Sequence, residues 1–172
     1  HSVDEYRALV DKLRLARPDL ALSSDFIVGF PGETDADFRA TLKLIEDVTF
    51  IGAYSFKYSP RPGTPAALMD FQVDEAVKAE RLAQLQALLS TQTLAFNTQC
   101  VGKTMSVLLD RVGKKPGQLV GRSPYMQAVV VNAPEQFARE QLMNRIVDVT
   151  MTSAGPNSLI GTLDPHNQKA CA

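Results

Sequence analysis

The sequence predicts an α/β unit of the βαβ kind over residues 1–100, a small all-β barrel over residues 101–164, and a flexible tail at 165–172. Three observations point there. Two apolar strand-like runs alternate with amphipathic helical stretches at short spacing, the pattern of parallel strands joined by crossovers. After Gly102 the period shortens to strands of five to nine residues broken by Gly and Pro. Charge divides at the same place: residues 1–100 carry 10 Lys and Arg against 14 Asp and Glu, and residues 101–172 carry 8 against 5. A basic small domain after an acidic larger one suits two different tasks.

The elements follow in order. Ser2-Val-Asp-Glu5 has the form of a capping box, and Tyr6, Leu9, Val10 and Leu13 continue at helical spacing until Arg17-Pro18. Phe26 to Phe30 is apolar without polar alternation, as in a strand buried on both faces. A helix starts at Thr34, with Asp37 closing a second capping box and Phe38, Leu42 and Ile45 as its inner stripe. Ile51 to Tyr58 is the second strand, with Tyr54, Phe56 and Tyr58 on one face. A Pro-rich loop, Ser59 to Pro65, precedes a long helix from Asp74 to about Thr98, whose buried stripe is Leu82, Leu85, Leu89 and Phe96. Short strands are then predicted at Thr104–Val112, Gln118–Arg122, Gln127–Val131, Arg145–Thr152 and Ser158–Thr162. Five such strands in about 60 residues suit a small closed or partly open barrel.

Candidate chemistry concentrates at two strand ends. Ligands of parallel α/β folds bind at the carboxyl ends of strands. In Gly29-Phe-Pro-Gly-Glu33, Gly29 and Gly32 would let a ligand approach the backbone, and Glu33 offers a carboxylate. The same residues also suit plain turn geometry with Glu33 complementing a helix dipole. Arg61, between two prolines after Tyr58, suits a phosphate or carboxylate, or simply solvent. In the second domain Lys103, Arg111, Lys114, Lys115, Arg122 and Arg145 supply positive charge, and Tyr125 lies in a turn where a base could stack. A solvated basic face with Tyr125 in a partial core is the plainer alternative. Two cysteines, Cys100 and Cys171, form neither a disulfide framework nor a metal knuckle, and a reducing, cytoplasmic setting is the simplest reading. His1 and His166 lack metal-ligand spacing, and no apolar run approaches the roughly 20 residues that span a bilayer.

The runs SDFIVGFPGET, FKYSPRPGTPAA, VKAERLAQLQALL and VGKTMSVLLDRV, with GRSPYMQAVVV and NSLIG further on, occur in that order. Together they resemble the carboxyl-terminal half of the radical S-adenosylmethionine methylthiotransferases, through essentially the whole chain except its last residues. The resemblance implies that residues 1–100 are the last part of a radical-SAM (β/α) barrel and that the second domain is a TRAM domain binding tRNA. It implies an S-adenosylmethionine site in which Ile27 and Gly29 touch the adenosyl part and Gly32 and Glu33 shape the adjacent loop, with Tyr58 and Arg61 on the next strand-end loop, and two 4Fe-4S clusters in the parent protein. The implied reaction adds a methylthio group at C2 of an N6-isopentenylated adenosine beside the anticodon. Homologues acting on threonylcarbamoyladenosine or on a ribosomal protein are alternatives within the family, and GRSPYMQAVVV favours the isopentenyl branch. A non-catalytic RNA-binding module is the alternative outside it. Cys100 and Cys171 match neither cluster-binding cysteine set, so the sequence is expected to be an inactive piece of a longer enzyme, partnered by the missing amino-terminal part. A complete barrel of this type needs about 250 residues. Two strands would leave apolar sheet exposed, so oligomerisation or swapping is expected.

Overall fold

The computed structural model describes residues 2–132 and 139–163. The tail, Cys171 and both histidines lie outside them. The chain separates into two compact units, His1–Gln92 and Thr93–Ala172.

In the first unit α1 (Val3–Ala16), β1 (Ser23–Val28), α2 (Asp35–Val48), β2 (Gly52–Lys57) and α3 (Glu75–Gln99) succeed one another, with a short 3-10 turn at Pro65–Leu68. Both capping boxes form: Ser2 with Glu5, and Thr34 with Asp37. β1 and β2 pair in parallel, from Ser23 opposite Gly52 to Val28 opposite Lys57. The first strand therefore begins and ends earlier than its apolar run suggests. Pairing starts at Ser23, and Gly29 turns the chain away with φ +74°.

Helices cover one face of this sheet. Val10 of α1, Phe38, Ile45 and Val48 of α2, and Leu85 and Leu89 of α3 close over Val28 and Phe50. Burying each such side chain contributes about 1.5–3 kcal/mol. The other face is bare: Ile27 is 60% exposed, Tyr54 73% and Phe56 55%. The expectation of a strand buried on both faces thus fails for β1, because among the described residues of this unit the helices pack on one side of the two strands only. The α1 stripe is half realised. Val10 is buried, while Leu9 and Leu13 remain exposed.

The second unit is a closed barrel in the order β3-β4-β5-β7-β6. Its strands are β3 (Thr104–Val112), β4 (Gln118–Arg122), β5 (Ala128–Asn132), β6 (Arg145–Ala154) and β7 (Leu159–Leu163), with a one-turn helix, α4 (Arg139–Leu142), before β6. Alternate residues point inward: Val107, Leu109, Leu119, Val129, Val131, Val149, Met151 and Leu159 form the core. The shifts in register near Leu109/Arg111 and Met151/Ser153 are bulges that bend β3 and β6. The last turns of α3 belong to this unit. Cys100 sits in the barrel core with Phe96 packed against it, so residues 93–100, assigned to the first domain by sequence, contact the barrel.

Candidate functional site

Parallel pairing sends both candidate loops from one end of the sheet. β1 ends at Val28 and β2 at Lys57, the Tyr58 amide donates to the Val28 carbonyl at 2.8 Å, and the Phe30 and Tyr58 rings meet edge-on at 5.2 Å. Ile27 projects from the bare face just before the first loop. Gly32 has φ +85°, and among the described residues nothing lies within 4 Å of the position its Cβ would take, although its amide donates to the Phe71 carbonyl at 3.0 Å. Gly29 differs: it is buried, and an added Cβ would fall 2.1 Å from Lys78 Cγ.

Glu33 is held from within. Its Oε2 accepts the Gly29 amide at 2.6 Å and meets Arg81 Nη1 at 2.7 Å. Arg81 also donates to the Glu33 carbonyl at 3.1 Å and to Asp35 at 2.6 Å, and its guanidinium lies 5.5 Å from the centre of the Phe38 ring. Burial works against the Arg81 charge, but hydrogen bonds to Asp35 and Glu33 outweigh it and raise its pKa above the ordinary value. Lys78 runs beneath Gly29, donates to the Tyr58 carbonyl at 3.5 Å and pairs with Glu75 at 3.0 Å; Glu75 also receives Lys57. The first turns of α3 thus tie down both loops. The Tyr58 hydroxyl is buried and has no hydrogen-bond partner among the described residues, while Arg61 is exposed and its carbonyl accepts from Thr64.

Sequence reasoning missed Lys78 and Arg81. Their signal was there: the apolar stripe of α3, extended one turn back from Leu82 and Leu85, lands on two cations. Both side chains are at least nine-tenths buried, and buried cations need partners.

In the barrel the register divides the basic residues between two rims. Arg111, Lys114, Lys115 and Arg145 lie where β3 ends and β4 and β6 begin; Lys103 and Arg122 lie at the opposite rim, with the Tyr125 turn. Arg111 pairs with Asp110 at 3.4 Å, and Arg122 donates to the Met126 carbonyl at 3.1 Å. Tyr125 is half-buried, its ring edge-on to Phe96 at 5.2 Å. A buried polar network fixes that turn. Asn97 donates to the Gly155 carbonyl at 2.7 Å and accepts from Gln127 at 2.6 Å, and Ser123 donates to Gln127 at 2.9 Å.

A parallel α/β pair with paired strand-end loops, followed by a closed five-stranded barrel, defines a two-part protein. Residues 98–163 match the family model of the TRAM domain, so the second part is a TRAM domain. Nearly the whole chain is similar to tRNA-2-methylthio-N(6)-dimethylallyladenosine synthases, as the resemblance to the methylthiotransferases led us to expect. It is 55% identical over 159 residues to that of Sphingopyxis alaskensis, covering 92% of this chain and 35% of the relative. It is 52% identical over 170 residues to that of Maricaulis maris, covering 99% and 36%, and 53% identical over 163 residues to that of Rickettsia canadensis, covering 95% and 36%. The chain therefore spans about a third of the length of these relatives.

The cofactors implied by that likeness fit unequally. A 4Fe-4S cluster needs several thiolates around one site. The sequence has two cysteines; among the described residues Cys100 is buried, and no group of three or more His, Cys, Asp or Glu could hold a metal ion. No cluster fits here. Of the positions that likeness implies for S-adenosylmethionine, Ile27 presents an exposed side chain and Gly32 is exposed with room at its Cα, so neither stands in the way of a ligand. No helix among the described residues is long and apolar enough to cross a membrane.

Proposed function

We propose that this chain is the carboxyl-terminal part of a tRNA-modifying methylthiotransferase, one that adds a methylthio group to C2 of N6-isopentenyladenosine next to the anticodon. The observation that carries the reading is similarity over 92% of the chain to a synthase named for that product. Residues 1–100 then form the last strands of a (β/α) barrel, and the uncovered face of β1 and β2 looks into the barrel interior. Ile27, Gly29 and Gly32 form one wall of the S-adenosylmethionine pocket, with Arg61 on the adjoining rim. Glu33 and Tyr58 shape that wall from behind, since their polar groups turn inward. The TRAM barrel grips tRNA, with Lys103, Arg122 and the Tyr125 turn on one rim and Arg111, Lys114, Lys115 and Arg145 on the other. The setting is the cytoplasm, where tRNA is modified.

Alone, the chain holds neither 4Fe-4S cluster and is catalytically inert. The preceding part of the protein supplies the clusters and covers the bare sheet. In its absence the exposed Ile27, Tyr54 and Phe56 drive self-association, which light scattering would reveal; a sharply monomeric species contradicts that point. The main test is reconstitution of these 172 residues with iron and sulfide. No methionine is released from S-adenosylmethionine on this reading; release would overturn it.

A further inference from the structure

The loop Gly29–Glu33 is braced by α3 as well as turned by its own glycines. Arg81 and Glu33 meet at 2.7 Å with side chains 6% and 12% exposed. The carboxylate oxygen that meets Arg81 also accepts the Gly29 amide at 2.6 Å. The Gly29 backbone lies on the aliphatic stem of Lys78, close enough that no Cβ fits. Lys78 also reaches the Tyr58 carbonyl of the second loop. Both loops are therefore registered against one helix, two turns from its start.

We infer that Arg81 and Lys78 are positioning residues for S-adenosylmethionine: through Glu33 and Gly29 they fix the Ile27–Gly32 wall against which the ligand lies. The inference rests on the pocket-wall reading above. It assigns Glu33 to the inside of the loop, holding the Gly29 amide, with no contact to the ligand. A guanidinium is needed because its fork spans Glu33 and Asp35 together, with the flat cation over Phe38. An ammonium would satisfy one partner only. A wall left about 1 Å too loose loses binding without unfolding.

The test uses the full-length protein with its clusters reconstituted. S-adenosylmethionine affinity is measured by equilibrium binding and tRNA affinity by anisotropy, both well below each variant's melting temperature. Arg81→Met is expected to weaken S-adenosylmethionine binding about tenfold, the scale of a lost charged hydrogen bond, with tRNA affinity unchanged. Arg81→Lys should restore part of it. Glu33→Gln, which keeps the size and an acceptor for Gly29, should weaken binding about threefold and move the Gly29 amide proton upfield. It also carries the test if Arg81→Met does not fold. Wild-type binding with Arg81→Met and Glu33→Gln both within twofold of it would overturn the positioning role and leave the pocket-wall reading standing. Absence of binding by the reconstituted wild type would overturn the pocket-wall reading itself.

Discussion

Gly29 and Gly32 sit three residues apart with similar φ, +74° and +85°, and different surroundings. A left-handed φ costs a non-glycine residue about 1–2 kcal/mol. At Gly32 that is the whole cost of Gly32→Ala, because nothing stands near the new methyl. At Gly29 the methyl also meets the Lys78 stem, so Gly29→Ala should cost about 3 kcal/mol or more. Urea midpoints of the two variants check this, and equal shifts would contradict the packing described for Lys78. Glu75, which receives both Lys57 and Lys78, behaves differently again. Hydrogen bonds from Lys57 and then Lys78 hold its carboxyl below the ordinary glutamate range. Its folded pKa is therefore below its unfolded one. The stabilisation is present above the unfolded pKa and is lost as pH falls through the folded value. Carbon NMR titration should place Glu75 below a free glutamate, and Lys57→Met should move it back toward one.

At the scale of elements, much was legible. The two capping boxes, Thr104–Val112 and Gln118–Arg122 are where the sequence puts them, because each rests on local chemistry: a Ser or Thr with an acid three residues on, or alternation bounded by Gly and Pro. Strand ends set by partners were less legible. β1 starts at Ser23 because Gly52 stands opposite it, and no local signal in a serine pair announces that. The polar residues of the α3 stripe were missed for a related reason. Lys78, Arg81 and Gln92 share the helix face of Leu85 and Leu89, and each satisfies backbone or carboxylate groups on another element. Gln92, for instance, accepts from the Phe50 amide at 3.0 Å and donates to the Ile45 carbonyl at 2.8 Å. Only the fold reveals those partners, although polar residues on an apolar stripe signal that partners exist. The two loops at one strand end were legible as a place; the partners of Glu33 were not, because the sequence leaves its carboxylate open between a ligand and the turn, and the fold brings Arg81 of α3 and the Gly29 amide to it.

The whole molecule is two units with one helix shared between them. α3 braces the strand-end loops with its first turns, and its last turns, through Phe96, Asn97 and Cys100, pack into the barrel. The TRAM match begins at residue 98, so Phe96 and Asn97 lie just before it although they hold the Tyr125 turn in place. The central claim is that this barrel grips tRNA through charge spread over two rims. It is tested most directly by the anisotropy of a labelled isopentenyladenosine-containing tRNA titrated with the chain at 50 and 200 mM salt. Neutralising several phosphates predicts measurable binding at the lower salt that weakens by at least about tenfold at the higher, and further when Lys103 and Arg122 are both changed to alanine. No binding at low salt, or binding indifferent to salt and to those two residues, would contradict it.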